Sequence, residues 1–584
     1  MKKLKVLFFL LVLFSASLAF SANDSADTKC WIVFSDKNGI KEGDKIAYNS
    51  PAYLSGKELL TDRAIKRRLK VFTEETLIEF GDLPLTQSYV QNISSLGIDI
   101  IAKSRWLNGV SAYLTPFQIE KLKKLDYVSR IFAVKKLYKQ RFANTSPVFL
   151  KSYYESVMSD SANVYDYGNS YNQMMLVNVP NVHNLGITGK GVLVASFDDG
   201  FEWRTHESLS RLNVLDEYDF INNDKNTARE EGQKYPDASS QGGHGTATLS
   251  TLGGFKEGKL IGPAFNSDFI LAKTEYTPTE TPMEEDFWLE AAEWAEAYGA
   301  DVITSSLVYK AFDKPYVTNS YTYNDFDGNT SITTIAGDKA AHYGIVVCNA
   351  TGNYNQTDPP SLGSASDGDS IIGVGAVDKK GMITSFSSNG PTSDGRIKPD
   401  VVAPGQTVYI AKMGEGNKYD YANGTSFATP ITAGVCALIL SAHPELTAMQ
   451  VREALRNTAN NSSTPNNVYG YGLINAYKAI LYFGEVWGNE ASIIATDSKV
   501  TIKIGFASND FTTESPVILN YRTPQSKKFK SVNMKLVKQF ENGNYSGVYE
   551  YSKDNTGNAK FNKGEFEYYF SVVINGKELK STQR

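Results

Sequence analysis

The chain has 584 residues, of which 41% are hydrophobic and 21% charged, close to the average for soluble globular proteins. At roughly 100–200 residues per domain this length predicts two to four folded units, and the composition excludes a largely disordered, collagen-like or multi-span membrane chain. The net charge of −5 gives no overall attraction to nucleic acid or to an anionic membrane, so neither is expected as a partner. Lys and Arg outnumber Asp and Glu in residues 23–150, whereas the remainder is acidic, so the two parts are expected to attract each other. The three cysteines allow one disulfide at most and exclude a cysteine framework.

The first 21 residues have the pattern of a secretory signal peptide. Lysines within residues 2–5 precede the apolar run 6–14, and small residues follow, with cleavage expected after Ala19 or Ser21. An uncleaved membrane anchor is the alternative. No later run of about 18 uninterrupted apolar residues occurs, so no other transmembrane helix is expected. We therefore expect a secreted or cell-surface protein without stable membrane insertion.

Residues 22–145 alternate extended and helical patterns in the order βαββαβ, apart from one charged insertion. Extended runs are predicted at 31–34, 98–101, 106–114 and 128–134, and helices at 57–70, around 90–96 and from Pro116. This order is typical of a small ferredoxin-like α+β unit. Residues 146–174 lack periodicity and are rich in Ser, Asn and Tyr, which predicts a linker and processing region.

Residues 175–485 change to buried strands alternating with helices. The predicted strands are 192–197, 301–306, 344–350 and 370–377, and the predicted helices are 284–298, 426–441 and 448–459. Apolar runs of this length are typical of a parallel sheet that is buried on both faces. The pattern predicts an α/β sandwich of helices around a mostly parallel sheet.

Residues 486–584 alternate apolar and polar positions, as at Val500, Ile502 and Ile504. Asn575-Gly576 is a strong hairpin turn signal. We expect a small all-β, sandwich-like domain here.

Three segments of the α/β region place a reactive side chain where a strand or a turn leads into a helix. Asp198 ends an apolar strand, glycines flank His244, and Ser426 begins an apolar helix. A serine hydroxyl is a poor nucleophile, so acyl transfer needs a base within hydrogen-bond reach and a third group that fixes the tautomer of that base. Imidazole suits the base because it accepts and returns a proton near neutrality. Asn353, just past a predicted strand, offers an amide donor that could hold an oxyanion together with the N–H of Ser426.

Together these segments resemble the subtilisin-like serine proteases of the subtilase superfamily, which have the same chain order of Asp, His and Ser. The resemblance covers roughly 175–485 and includes the run 398–405. It implies a three-layer α/β sandwich and a secreted serine endopeptidase, made as a zymogen, that acts on proteins or peptides. It also implies that 22–145 is an inhibitory, folding-assisting pro-domain, and that Ser306 and Leu307 form a substrate-binding edge.

Two positions depart from the family pattern. Asp199 stands where the family often has a small residue, which leaves two carboxylates to orient His244; we favour Asp198, since it is two residues before Gly200. Val308 replaces a common glycine in the substrate groove. Calcium sites are frequent in the family, but no residue can be matched to their ligands, so no cofactor or metal is assigned.

Other interpretations of the same residues have less support. Asp198, His244 and Ser426 could be a turn carboxylate, a loop histidine and a helix cap, but all three would then have to mimic one family in order. Asp198, Asp199, His206 and His244 could be imagined as metal ligands, yet their spacing follows no known ligand pattern. Cys348 and Cys436 are interpreted as buried small hydrophobes rather than nucleophiles.

The alternative function is a catalytically silent surface-binding protein that uses the protease fold as a scaffold. The complete set of three reactive side chains argues against it. Hydrolysis of unfolded casein would separate the two functions.

Overall fold

The computed structural model describes residues 28–133 and 163–581, except 315, 415, 497, 510–515, 523–525, 527, 540–545 and 555–565. The predicted signal peptide, 1–21, and most of the predicted linker, 146–162, lie outside these residues.

Residues 28–133, called the front unit, form a four-stranded antiparallel sheet with helices. Its elements are β1 (Thr28–Phe34), α1 (Pro51–Lys57), α2 (Asp62–Arg68), α3 (Gln87–Ser95), β2 (Ala102–Ser104), β3 (Gly109–Leu114), α4 (Pro116–Leu122) and β4 (Val128–Ala133). The strand order β2-β3-β1-β4 confirms the ferredoxin-like prediction. Alternation along β1 directs Cys30 and Ile32 to the core under α3 and α4, and Trp31 to the opposite face.

The helix predicted over 57–70 forms only as α2, because α1 ends at Lys57 and residues 58–61 are not helical. Thr61 has an extended backbone and caps α2, its hydroxyl accepting a hydrogen bond from the N–H of Ala64 at 3.2 Å. An N-cap residue with this conformation ends any preceding helix. The N–H of Thr61 donates to the carbonyl oxygen of Ala297, so the break is fixed by a partner distant in sequence.

The α/β domain follows. Its helices are α5 (Tyr171–Leu176), α6 (Val179–Asn184), α7 (Gly243–Gly253), α8 (Met283–Tyr298), α9 (Ile332–His342), α10 (Thr425–Ala442), α11 (Ala448–Thr458) and α12 (Ala476–Ile480). Its strands are β5 (Leu193–Asp198), β6 (Asn213–Asp219), β7 (Phe255–Lys256), β8 (Leu260–Ile261), β9 (Asp268–Lys273), β10 (Val302–Ser305), β11 (Val346–Ala350), β12 (Ile372–Val377), β13 (Val401–Pro404), β14 (Val408–Ala411) and β15 (Tyr419–Ala422). Seven of the strands form one parallel sheet in the order β13-β12-β11-β10-β5-β9-β6.

Helices cover both faces of this sheet. Val194 and Val346 face the core that contains α7 and α10, whereas Ala195 and Val347 face the core that contains α8 and α9. The predicted three-layer sandwich is therefore confirmed. The predicted linker extended to residue 174, but Tyr167 and Met174 are buried in the first of these cores, so the packed domain begins before residue 175.

Helix α10 runs through the centre of the first core. Among the described residues it is the one helix with the length and apolarity to cross a membrane, and nearly all of it is buried inside the protein. Its burial fixes the position of its first turn, which carries Ser426.

The C-terminal domain is the predicted β-sandwich. Its strands are β16 (Val486–Trp487), β17 (Ser492–Ala495), β18 (Lys499–Ala507), β19 (Ile518–Arg522), β20 (Lys530–Asn533), β21 (Lys535–Gln539), β22 (Gly547–Asp554), β23 (Glu567–Ile574) and β24 (Lys577–Lys580). Two antiparallel sheets share one core, to which β18 contributes Val500, Ile502 and Ile504 and the facing sheet contributes Leu519 and Phe570.

The front unit packs on the outer face of α8 through carboxylates that recur one helical turn apart, Asp286, Glu290 and Glu293. Asp286 is fully buried, pairs with Lys29 and accepts a hydrogen bond from Trp31 Nε1 at 3.0 Å. Groups of β2, β3 and the turn between them donate hydrogen bonds to the three carboxylates. These donors include Ser111 Oγ, Lys103 N, Ser104 Oγ, Arg105 N and Trp106 N. The basic front unit thus meets the acidic domain through directed bonds rather than through diffuse attraction alone.

A second contact holds the insertion that contains α2. Glu296, near the end of α8, is buried between Arg67 and Arg68 and accepts hydrogen bonds from both. Arg68 also donates to both carboxylate oxygens of Asp82, at 2.9 and 2.7 Å, and lies 3.8 Å from the ring centroid of Tyr343. Burial alone would raise the pKa of Glu296, but Arg68 and Arg67 outweigh it and hold the pKa below its ordinary value. Glu296 is therefore ionised, and its charge is compensated entirely from the front unit.

Candidate active site

The candidate site lies at the carboxyl edge of the parallel sheet. β5 stands between β9 and β10, and the chain crosses first to one side of β5 and then to the other. In open α/β sheets such a reversal of strand order leaves a crevice at the carboxyl ends of the strands. Asp198 is the last residue of β5, and Ser306 directly follows β10.

Asp198 and His244 are directly bonded. The Nδ1 atom of His244 lies 2.6 Å from Oδ1 of Asp198, and the Thr248 hydroxyl donates to the other carboxylate oxygen at 2.9 Å. Asp198 is buried, whereas a quarter of the His244 side chain is exposed. The carboxylate therefore fixes the ring through Nδ1, which leaves Nε2 as the nitrogen that can exchange a proton with a reactant.

The neighbouring Asp199 has a different contact. Its carboxylate accepts the backbone N–H of Gly245 at 2.7 Å and that of His244 at 3.3 Å, so it anchors the first turn of α7. The close approach requires glycine, because a Cβ on Gly245 would lie 2.1 Å from the carbonyl oxygen of Gly200. Of the two candidate carboxylates, Asp198 contacts the imidazole and Asp199 contacts the backbone that carries it.

The charges around His244 stabilise its protonated form. Burial on its own lowers the pKa of His244, but the charge and hydrogen bond of Asp198 outweigh burial and raise the pKa to about 9, with smaller contributions from Asp199 and Glu275. The pKa of Asp199 is itself raised to about 7, first by burial and then by the adjacent Asp198.

Ser426 lies in the first turn of α10, where the helix N-terminus favours negative charge. Its hydroxyl donates to the carbonyl oxygen of Ser306 at 3.4 Å, and the Ser306 hydroxyl donates to the carbonyl oxygen of Ser426 at 2.7 Å. The ring centroids of His244 and Phe427 are 5.9 Å apart, so the imidazole lies beside the residue that follows the serine. The structure thus places the predicted nucleophile against the predicted substrate edge, and its neighbour Phe427 beside the predicted base.

Asn353 faces the same position. Its side-chain oxygen accepts the N–H of Thr425 at 2.9 Å and the Thr425 hydroxyl at 3.1 Å, which fixes the amide plane. A Cβ built on Gly424 would lie 3.5 Å from Asn353 Nδ2 and 3.6 Å from both the N and the Oγ of Ser426. Two nitrogen donors and the hydroxyl therefore lie around one point that carries no side chain, beside the predicted nucleophile.

The other predicted substrate-edge residue, Leu307, is buried at the end of β10. Its carbonyl oxygen accepts the side-chain amide of Asn349 at 3.1 Å, and its N–H donates to Ser305 Oγ at 3.4 Å. Val308, which replaces the expected glycine, directs its side chain toward Gly363.

His206 is not brought to this site. Its ring nitrogens bond Ser208 Oγ at 2.9 Å and the carbonyl oxygen of Lys418 at 2.8 Å. Within the described part of the chain, no group of three or more His, Cys, Asp or Glu residues is placed to hold a metal ion, so no calcium-dependent step is derived.

Two supporting residues were missed in the sequence. Thr248 follows His244 by one helical turn, so its position on the same face of α7 could have been read from the spacing. Thr425 precedes Ser426 directly, but its bond to Asn353 joins residues distant in sequence, and no local pattern shows it.

Protein-family models and sequence relatives identify the class of protein. Residues 189–472 match the subtilase family, peptidase S8, and residues 29–147 match the peptidase S8 propeptide domain of Bacteroidota. Subtilisin of Bacillus pumilus is 34% identical over 305 residues, which are 52% of this chain and 96% of that protein. Serine protease AprX of Bacillus subtilis is 30% identical over 314 residues, 50% of this chain and 67% of that protein. A solved structure of a protease from Pseudoalteromonas arctica is 23% identical with a TM-score of 0.41, covering 54% of this chain and 98% of that one.

The protein is a serine endopeptidase with a propeptide. The chain belongs to the subtilase family.

Proposed function

We propose that the protein hydrolyses peptide bonds through a catalytic triad of Asp198, His244 and Ser426 and an acyl-enzyme intermediate. One observation carries the proposal. The Asp198–His244 hydrogen bond of 2.6 Å and the two donors beside the Ser426 hydroxyl lie at the same edge of the sheet. His244 removes the proton of Ser426 as the hydroxyl attacks the scissile carbonyl carbon, and later returns it to the leaving amine. Asp198 stabilises the imidazolium that forms in between.

The oxyanion is held by Asn353 Nδ2 and the backbone N–H of Ser426, supported by the α10 N-terminus. Ser306 and Leu307 are proposed to bind substrate, because the carbonyl oxygen of Ser306 accepts the hydrogen bond of the Ser426 hydroxyl and so places this segment beside the nucleophile. Water then hydrolyses the acyl-enzyme and regenerates the hydroxyl of Ser426.

The proposed domain arrangement is a signal peptide at 1–21, an inhibitory pro-domain at 22–145, a processing region within 146–174, a catalytic domain at 175–485 to whose core Tyr167 and Met174 also belong, and a β-sandwich at 486–584. The contacts of the front unit on α8 support a pro-domain that docks on the domain that carries the proposed triad. The basic and apolar pattern of the first residues supports export.

The test is covalent labelling with a fluorophosphonate, which reacts with activated serines. The wild-type enzyme is expected to be labelled and to digest unfolded casein, and Ser426→Ala is expected to do neither. Ser441→Ala is a matched control on the same helix, since Ser441 bonds the Lys190 carbonyl at the far end of α10. Persistent labelling of Ser426→Ala would refute the triad, and an unlabelled, inactive wild type would favour the silent binding protein.

A further inference from the structure

Two cysteines face each other in the core beneath the candidate active site. Cys348 lies in β11 and Cys436 in α10, and their sulfur atoms are 3.8 Å apart. Both residues are fully buried. Each thiol therefore has the other as its hydrogen-bonding neighbour in an apolar environment.

These are also the two cysteines that the mature enzyme would retain. The third, Cys30, is in β1 and belongs to the core of the front unit, which is lost when the pro-domain is removed. A pair without competing thiols in its own domain leaves one possible intramolecular bridge.

We propose that Cys348 and Cys436 form a disulfide bond in the exported enzyme; the proposal rests on the proposed export. The sulfurs are 3.8 Å apart and must approach to about 2.05 Å, and the two elements that carry them pack directly against each other. The bridge ties the strand that leads to Asn353 to the helix that carries Ser426 in its first turn. It therefore links the two elements that supply the oxyanion donors.

The bond forms by thiol–disulfide exchange with a disulfide outside the cytoplasm, either that of a protein oxidant or that of a small molecule. One thiolate attacks that disulfide and gives a mixed disulfide, and the second thiolate displaces the remaining sulfur. Two S–H bonds are lost, one S–S bond forms, and the electron pair reduces the incoming disulfide to two thiols.

The timing follows from burial. Burial and the adjacent Cys436 raise the pKa of Cys348, so in the finished fold this thiol is protonated and has no access to an oxidant. The exchange must occur while the catalytic domain is still folding, before α10 closes over β11. Once formed, the bridge is shielded from reductants by the same burial.

The experiment uses the full chain recovered from outside the cell, denatured in the presence of N-ethylmaleimide and digested. The expected result is a cross-linked peptide pair containing Cys348 and Cys436, with neither cysteine alkylated. Recovery of both as alkylated cysteines, or a bridge that includes Cys30, would overturn the proposal. Cys30→Ala serves as control and is expected to leave the cross-link unchanged.

A second measurement tests what the bridge does. Dithiothreitol added during heating is expected to shorten the inactivation half-life of the mature wild type several-fold, and to leave that of a Cys348→Ala/Cys436→Ala double variant unchanged. An equal effect on both would count against the bridge. Fluorophosphonate labelling of the same samples distinguishes failure of this proposal from failure of the proposed function. Enzyme that is labelled but has free thiols would refute the bridge alone. Protein that is bridged but unlabelled would refute the protease mechanism alone.

Discussion

Glu296 offers a direct test of how the pro-domain is held. In the zymogen its carboxylate is buried between Arg67 and Arg68, whereas in the mature enzyme those two partners are gone. Glu296→Gln therefore perturbs the complex far more than the mature enzyme. The residue lies on α8 and makes no contact with the candidate triad, so peptide hydrolysis itself should be unchanged.

The magnitude follows from the charge balance. Removing one partner of a buried ion pair costs about 3–5 kcal/mol, because the remaining charge is left without compensation. Arg68 keeps its bonds to Asp82, and the glutamine side chain retains one acceptor oxygen, so the lower end of the range applies. At about 1.4 kcal/mol per factor of ten, a cost of ~3 kcal/mol weakens binding of the pro-domain about 10²-fold.

The assay is inhibition of mature enzyme by added pro-domain, residues 23–145, followed with a chromogenic peptide substrate. Glu296→Gln is expected to raise the inhibition constant about 10²-fold with kcat/KM unchanged. Glu207→Gln is the control, since Glu207 pairs with Lys256 inside the catalytic domain. An inhibition constant within tenfold of wild type, or an equal change in the control, would refute the reasoning.

Three further predictions concern the candidate site and its domain. Asn353→Ala should lower kcat about 10²–10³-fold with little change in KM, a magnitude taken from the loss of one oxyanion donor in a subtilisin, and an unchanged kcat would reject the role. The value of kcat/KM should rise with pH, with the midpoint of the rise near pH 9. The reason is that His244 must be neutral to accept the serine proton, and its pKa is raised to about 9. A midpoint at or below 6.5 would contradict this. Burial lowers the pKa of His183 to about 4. As the pH falls below 6.5, the unfolded chain therefore binds a proton at this histidine before the folded protein does. The free energy of unfolding should fall by about 3 kcal/mol between pH 6.5 and 4. Thermal melting of Ser426→Ala with and without His183→Gln measures that contribution, and identical pH dependence in the two would exclude it.

Periodicity predicted four of the seven strands of the parallel sheet and three of the helices closely, but it did not identify β9 and β13. The predicted helix 284–298 is α8, Met283–Tyr298, and the predicted helix 448–459 is α11, Ala448–Thr458. These segments are long and either bury a continuous apolar face or carry capping residues. Both features can be recognised within the sequence of the segment itself. The edge strand β6 was not predicted either, because its sequence is charged and shows no apolar run.

The sequence could not predict contacts between distant segments. The charged insertion was expected to be one helix, but its arginines are buried because they face Glu296, more than two hundred residues away. The same holds at the candidate site. Residue types and chain order suggested Asp198 as the carboxylate that orients His244, but only the fold shows that Asp199 binds the backbone of α7 and not the imidazole. Local chemistry therefore indicated which groups react, and tertiary packing determined how they are held.

Departure of the pro-domain has a further effect on the surface of the mature enzyme. The row Asp286, Glu290, Glu293 and Glu296 on α8, neutralised in the precursor, then becomes an anionic ridge in water. Two enzyme molecules that approach along this ridge repel each other, so the ridge disfavours self-association through this face. A ligand for this face must bring its own positive charges, as the basic pro-domain does.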